Sequence, residues 1–240
     1  MAQSQPGLST QFVASTLVPG WQRIDNPALL CHQVAAAFLK AGGRLARAHA
    51  RPLVPESTGL TVALQGGQTL QARRVVVAAG AWSHHLAQTL GDRVPLETER
   101  GYNTTLPPGA FDLRRQLTFS GHGFVVSPIV GGVRVGGGVE LGGLRAPPNF
   151  ARAQTLLDKA QRLFPGLKTE GGTRWMGFRP SLPDSLPVLG AATGDDRVLY
   201  AFGHGHLGLT QSAATAELVA DWADGRRSAI NLQPFRAQRF

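Results

Sequence analysis

The chain has 240 residues, 42% of them apolar and only 16% charged, with a formal net charge of +9 at pH 7. That length and apolar content can bury a core in one or two domains and exclude an intrinsically disordered chain. The excess charge is arginine, since Lys40, Lys159 and Lys168 are the only lysines; the arginines are scattered, which argues against a nucleic-acid surface. The single cysteine, Cys31, excludes an intramolecular disulfide and a cysteine-based metal site. Its apolar helical surroundings predict a buried, inert thiol. The stretch "MAQSQPGLST" lacks the pattern of a secretory leader, and no run approaches the ~18 apolar residues of a membrane span. The expected compartment is the cytoplasm, with peripheral contact at the inner face of the cell membrane left open.

In chain order, "DNPALLCHQVAAAFLKAGG" predicts a helix capped by Asp25 or Asn26, with Pro27 in its first turn and Gly42 or Gly43 at its end. "GLTVALQGGQTLQARRVVVAAGAW" reads as three strands with a hairpin turn at Gly66-Gly67. The third, Val75–Ala79, is a continuous apolar run, the pattern of a parallel strand buried on both faces. "AWSHHLAQTL" follows as a helix ending at Gly91. From Pro95 the pattern becomes antiparallel and glycine-rich, with strands in "VPLETERGYNTTLP", "HGFVVSPIV" and "VRVGGGVEL" and a turn at Gly131-Gly132. "NFARAQTLLDKAQRLFPGL" is a helix capped by Asn149 and stopped at Pro165-Gly166. The prolines of "MGFRPSLPDSLPVLG" predict a loop. "RVLYAFG" is a short strand, "LTQSAATAELVADWADG" a helix, and "SAINLQPFRAQRF" a docked extended tail. The order implies one α/β layer interrupted by a separate sheet.

Four places carry candidate chemistry. In "VVVAAGAWS" a strand turns straight into a helix through small residues, which lets a ligand approach the backbone; a tight turn with no ligand is the equal alternative. "AFGHGHLGLT" repeats the design: Gly203, Gly205 and Gly208 allow close approach, and amides at the helix start face whatever lies before them. His204 and His206 could chelate a metal, but no third or fourth ligand lies nearby in sequence; His84 and His85 read as helix-surface residues. Arg179, framed by prolines in an apolar setting, suits bidentate carboxylate recognition or an internal ion pair with Asp184. Tyr102, in "ERGYN", could line a pocket or pack a sheet.

Taken together, "VVVAAGAWSHHLAQTLG", "VPLETERGY", "MGFRPSLPDSLPVLG", "AFGHGHLGLT" and the ending "PFRAQRF" resemble, in order, the FAD-dependent D-amino-acid dehydrogenase/oxidase (DAO) family, above all bacterial D-amino-acid dehydrogenase small-subunit-like proteins. The resemblance implies a mixed α/β fold: a partial FAD-binding Rossmann-like layer at residues 25–94 and 181–240, interrupted by a mostly antiparallel substrate domain at residues 95–180, which residues 1–24 join. It implies FAD as cofactor, an amino acid as the small-molecule substrate, and a quinone chain or oxygen as electron acceptor. The family's reaction is oxidative deamination: hydride passes from Cα–H to the flavin, and the imine is hydrolysed to a 2-oxo acid and ammonia.

By the same resemblance Arg179 binds the substrate carboxylate, with Tyr102, Asn103 and His206 on the substrate side. Gly205, His206, Leu207, Gly208, Leu209 and Thr210 lie against the flavin, Ala79, Gly80 and Trp82 lie along the FAD, and no residue of the chain is itself catalytic. Two departures stand out. The family usually has histidine where this chain has Asn103, and the strand–GxGxxG–helix unit that holds the pyrophosphate is not in this sequence. The expectation is therefore the C-terminal part of a family member, inactive or weak alone. The alternatives are a non-enzymatic fragment and a flavin amine oxidase acting on modified tRNA.

Overall fold

The computed structural model describes residues 3–57 and 59–240. In chain order the elements are α1 (Pro27–Lys40), β1 (Ala50–Pro55), β2 (Leu60–Leu64), β3 (Thr69–Ala72), β4 (Val75–Val77), α2 (Ser83–Thr89), β5 (Glu97–Leu106), β6 (Leu117–Phe119), β7 (Phe124–Ile129), β8 (Gly132–Leu141), α3 (Ala151–Leu163), β9 (Thr173–Ser181), β10 (Val188–Ala191), β11 (Val198–Phe202) and α4 (Gly208–Ala223). They divide into two units. Unit 1 holds the chain up to Leu45, Arg100–Glu140 and Ala146–Gly177; unit 2 holds Ala46–Glu99, Leu141–Arg145 and Phe178–Phe240.

Unit 1 is built on a five-stranded sheet of order β6-β7-β8-β5-β9. β7 and β8 pair antiparallel, with Val126 opposite Val135 and Ile129 opposite Gly132. A side chain at Gly132 would strike the Leu106 carbonyl oxygen at 1.8 Å, so the turn between these strands accepts only glycine there. α3 presents Ala153, Leu156, Leu157, Ala160 and Leu163 at helical spacing, all buried. They form one core with Leu106, Phe119, Phe124, Val126 and Val133. The N-cap of this helix is Phe150, one residue later than the Asn149 expected; Asn149 Oδ1 accepts from the Ala151 N–H at 3.3 Å just outside it.

Unit 2 contains two three-stranded sheets, β1-β2-β3 and β10-β11-β4. The β2–β3 hairpin turns through Gly66 (φ 101°) and Gly67 (φ 85°), both in the left-handed region that favours glycine. β11 runs parallel to β4 and antiparallel to β10. The core joins Leu60, Val77, Leu90, Val188, Val198, Tyr200 and Phe202. Within it Asp92, 5% exposed, accepts from Tyr200 Oη at 2.8 Å, the Thr193 N–H at 2.9 Å and Thr193 Oγ1 at 2.5 Å. Three donors satisfy a carboxylate that burial alone would penalise.

Several expectations change. Residues 25–45, expected with the α/β layer, cluster with unit 1, because the Val130 N–H bonds the Asp25 carbonyl at 3.2 Å and the Arg23 guanidinium bonds the Pro128 carbonyl at 2.5 Å. Asn26 caps α1, accepting from the Leu29 N–H at 3.0 Å, but α1 buries no residue and Cys31 is exposed, not buried. β4 is parallel as expected, yet it is a sheet edge with Val76 exposed rather than a strand covered on both faces. "MGFRPSLPDSLPVLG" is not all loop: it contains the end of β9 and the start of β10. β9 is an edge strand, where a proline is tolerated. β1, with Pro55 at its end, is likewise an edge strand carrying a register irregularity. The tail is docked but not extended: it forms two short 3₁₀ turns, Gln233–Phe235 and Ala237–Arg239. Arg239 holds it down through Asp184 (2.6 and 3.2 Å) and the Leu186 carbonyl (2.7 Å).

Candidate functional site

Unit 2 brings the two glycine turns and Arg179 to one place. β4 leads through exposed Ala78 and Ala79 to Gly80, which opens a 3₁₀ turn Gly80–Trp82 ahead of α2. Gly80 has φ 55°, and a side chain added there would meet nothing within 4 Å, so open space lies in front of it. β11 leads to Gly203 (φ 82°), where a side chain would lie 2.6 Å from Leu182, then to a 3₁₀ turn Gly205–Leu207 and α4. Gly205 is left-handed (φ 53°), but Gly208, expected to share that freedom, has helical φ −55°. Its role is to begin α4. No side chain caps α4, so its first amides are left to solvent or a ligand.

β9 ties the turns together. Trp82 packs edge-on against Phe178, ring centroids 5.5 Å apart. A side chain at Gly205 would lie 3.5 Å from Ser181 Oγ. Arg179 stands between Phe178 and Ser181. Burial pulls its guanidinium below the usual arginine range, and the Glu99 carboxylate works against that pull. An arginine keeps its proton under such a shift, so the site carries a partly desolvated, permanent cation. Asp184 pairs with Arg239 in the docked tail.

The histidines go different ways. His204 Nε2 lies 3.0 Å from Thr215 Oγ1, and burial lowers its pKa, keeping the ring neutral. His206 Nε2 donates to Glu99 Oε2 at 2.6 Å. His84 Nδ1 meets the Ala81 carbonyl at 3.1 Å, in the 3₁₀ turn ahead of its own helix. Tyr102 and Asn103 belong to unit 1. The Tyr102 hydroxyl is engaged by the Glu140 carboxylate and accepts from the Asn149 N–H at 3.0 Å. Asn103 is half-buried beside Gly136.

A flavin fits these residues in one specific respect. Among the described residues four buried side-chain polar atoms have no hydrogen-bond partner, and three of them flank this site: Ser83 Oγ, Ser181 Oγ and Gln211 Oε1. Such atoms cost free energy unless something satisfies them. Ser83 follows the Gly80 turn, Ser181 faces the Gly205 turn, and Gln211 lies in the first turn of α4. Sequence reading missed Ser83, Ser181, Gln211, Phe178 and Glu99. Only Glu99 had a signal, as an acid opening a strand in a strongly basic chain.

Comparison with known proteins supplies the class. The family model described as FAD dependent oxidoreductase (DAO) matches residues 1–222, and the chain belongs to that family. It is 36% identical over its whole length to a D-amino-acid oxidase of Bradyrhizobium diazoefficiens, of which the match covers 58%. It is 38% identical over 72% of its length to a D-amino acid dehydrogenase of Paramagnetospirillum magneticum, covering 41% of that protein. Among solved structures, glycine oxidase from Geobacillus kaustophilus superposes with a TM-score of 0.77 at 28% identity, covering 88% of this chain and 57% of that one. The chain thus spans less than two thirds of these relatives. Among the described residues no helix is long and apolar enough to cross a membrane.

Proposed function

We propose that this chain supplies the flavin-ring and substrate face of an FAD-dependent oxidoreductase that deaminates D-amino acids. The observation that carries the reading is the partly desolvated Arg179 cation between the two glycine turns, flanked by Ser83, Ser181 and Gln211 with unsatisfied polar atoms. Arg179 binds the substrate carboxylate through its fork of N–H donors and fixes which Cα substituents face the cofactor. Gly80 and Gly205 admit a flat ring to backbone distance, and the uncapped start of α4 favours electron density in front of it. Trp82 and Phe178 give the pocket an apolar wall that excludes water from the reacting carbon. FAD would supply the hydride acceptor in front of these residues. On the substrate, the Cα–H bond breaks with both electrons and the nitrogen lone pair closes the C=N bond; water then yields a 2-oxo acid and ammonia.

The 240 residues hold only the ring end of this cofactor, so their own affinity for FAD is weak. The test is a flavin spectrum of the purified chain with and without added FAD, then anaerobic bleaching by D-amino acids and reoxidation by oxygen or a quinone. Bleaching by D- but not L-amino acids supports the reading. A chain that arrives yellow, with stoichiometric flavin, refutes weak retention. Arg179→Gln is expected to lower kcat/KM about 100-fold or more, the cost of losing a desolvated charge-assisted bond. A second reading, a folded fragment without catalysis, draws on α4, which buries no residue. Added FAD that neither binds nor bleaches selects it.

A further inference from the structure

Glu99 is the acid at the centre of this charge arrangement, and neither binding the carboxylate nor holding the flavin gives it a task. It stands in β5, and its side chain is 24% exposed. His206 Nε2 donates to its Oε2 at 2.6 Å, and its negative charge is the one that Arg179 feels. A carboxylate offers about four lone-pair sites, of which His206 takes one. The site therefore presents a cation within electrostatic reach of an anion, the anion held in orientation by a ring from the Gly205 turn. An α-amino acid is the matching ligand: carboxylate and amino group sit on the same carbon, one seeking a cation and the other an acceptor. A des-amino acid of the same skeleton would bring its carboxylate to Arg179 and leave Glu99 facing a methylene.

We propose that Glu99 receives the substrate's amino group, with His206 as the positioning residue that aims the Glu99 carboxylate, so that the site selects α-amino acids over carboxylic acids of the same skeleton. Glu99 accepts N–H bonds from the amine and the ammonium alike. It also holds the amine lone pair and the Cα–H in a fixed relation to the carboxylate anchor, which orients the breaking bond. This rests on the reading of Arg179 as that anchor. An anion beside Arg179 that served only to neutralise it would weaken every carboxylate ligand equally, and one that received a cationic substrate side chain would be indifferent to the α-amino group.

The probes are D-alanine against propionate, and D-phenylalanine against 3-phenylpropionate, measured by ligand-detected NMR on the purified chain with excess FAD. Wild type is expected to bind each amino acid about tenfold tighter than its des-amino partner, the scale of one charge-assisted hydrogen bond. Glu99→Gln should remove that preference, weakening the amino acids about tenfold while leaving the des-amino acids unchanged or tighter. Glu99→Asp, which keeps the charge and retracts it, should fall between, and His206→Gln should weaken the amino acids by a smaller factor through misaimed carboxylate geometry. If Glu99→Gln and Glu99→Asp, with unchanged thermal melts, shift both ligands of a pair equally or neither, the amino-group assignment is overturned. If Arg179→Gln leaves both ligands of each pair bound as in wild type, or wild type binds neither, the carboxylate anchor itself fails.

Discussion

Helices α3 and α4 have similar lengths, 13 and 16 residues, and opposite surroundings. α3 buries five apolar side chains against the unit 1 core, whereas α4 buries none. Intrinsic propensity does not explain this, because α4 is the richer in alanine. The difference is what lies against each helix. α3 closes a finished layer on the sheet. The first turn of α4 follows the Gly205 turn, and its flank stays open. β4 shows the same openness, as a sheet edge with Val76 exposed. Trp82, Leu207 and Leu209, in and beside the two glycine turns, stand half open to solvent.

The sharpest break of this contrast is a truncation in α3. Leu157 is 3% exposed and central to the unit 1 core. Leu157→Ala is expected to cost about 2–5 kcal/mol, the range for a buried leucine cavity. Urea unfolding measures it. A loss under about 1 kcal/mol would mean that α3 is not a core helix in solution.

Next in size is the buried polar centre of unit 2. Tyr200→Phe removes one of three donors to Asp92 and is expected to cost about 1–3 kcal/mol. It carries a pH signature. Burial first, then the hydrogen bond to and charge of Asp92, raise the Tyr200 pKa in the folded protein. A raised pKa means that this contribution is fully present below the unfolded tyrosine value of about 10 and is lost as pH climbs beyond it. Wild type should therefore lose stability above about pH 10, and Tyr200→Phe should show a shallower alkaline decline in thermal melts. Identical alkaline slopes would place the titration elsewhere.

Elements whose signal is local were legible in the sequence. Asn26-Pro27 marked the start of α1, Gly66-Gly67 fixed a hairpin, and Pro165-Gly166 marked the end of α3. Both glycine turns were visible for the same reason, since a left-handed residue between strand and helix has few alternatives to glycine. Exposure was not legible: Cys31 and Val76 sit in apolar patterns that predict burial, and pattern cannot say whether a covering layer exists. Pro180, the one proline of β9, misled because a proline forbids the middle of a sheet, not its edge, and edge position is a property of the whole topology. Glu99 escaped for a related reason. Its meaning comes from Arg179 and His206, 80 and 107 residues away in sequence, and no local spacing encodes that meeting.

The smallest expected effect tests the other side of the contrast. Leu209 lies in the first turn of α4 and is 45% exposed. Truncating an exposed leucine to alanine removes little packing and improves helix propensity slightly, so Leu209→Ala should leave stability within about 0.5 kcal/mol of wild type. The same substitution narrows the apolar rim beside the Gly205 turn, so its effect should appear instead as weaker FAD binding, by a few-fold at most. Stability and flavin affinity thus separate at Leu209, whereas at Leu157 any flavin effect follows from unfolding alone. A stability loss above about 2 kcal/mol at Leu209 would mean that something covers α4 in solution. Repeating the melt across a range of protein concentrations then decides whether a second copy of the chain covers it, because only self-association makes the melting temperature rise with concentration.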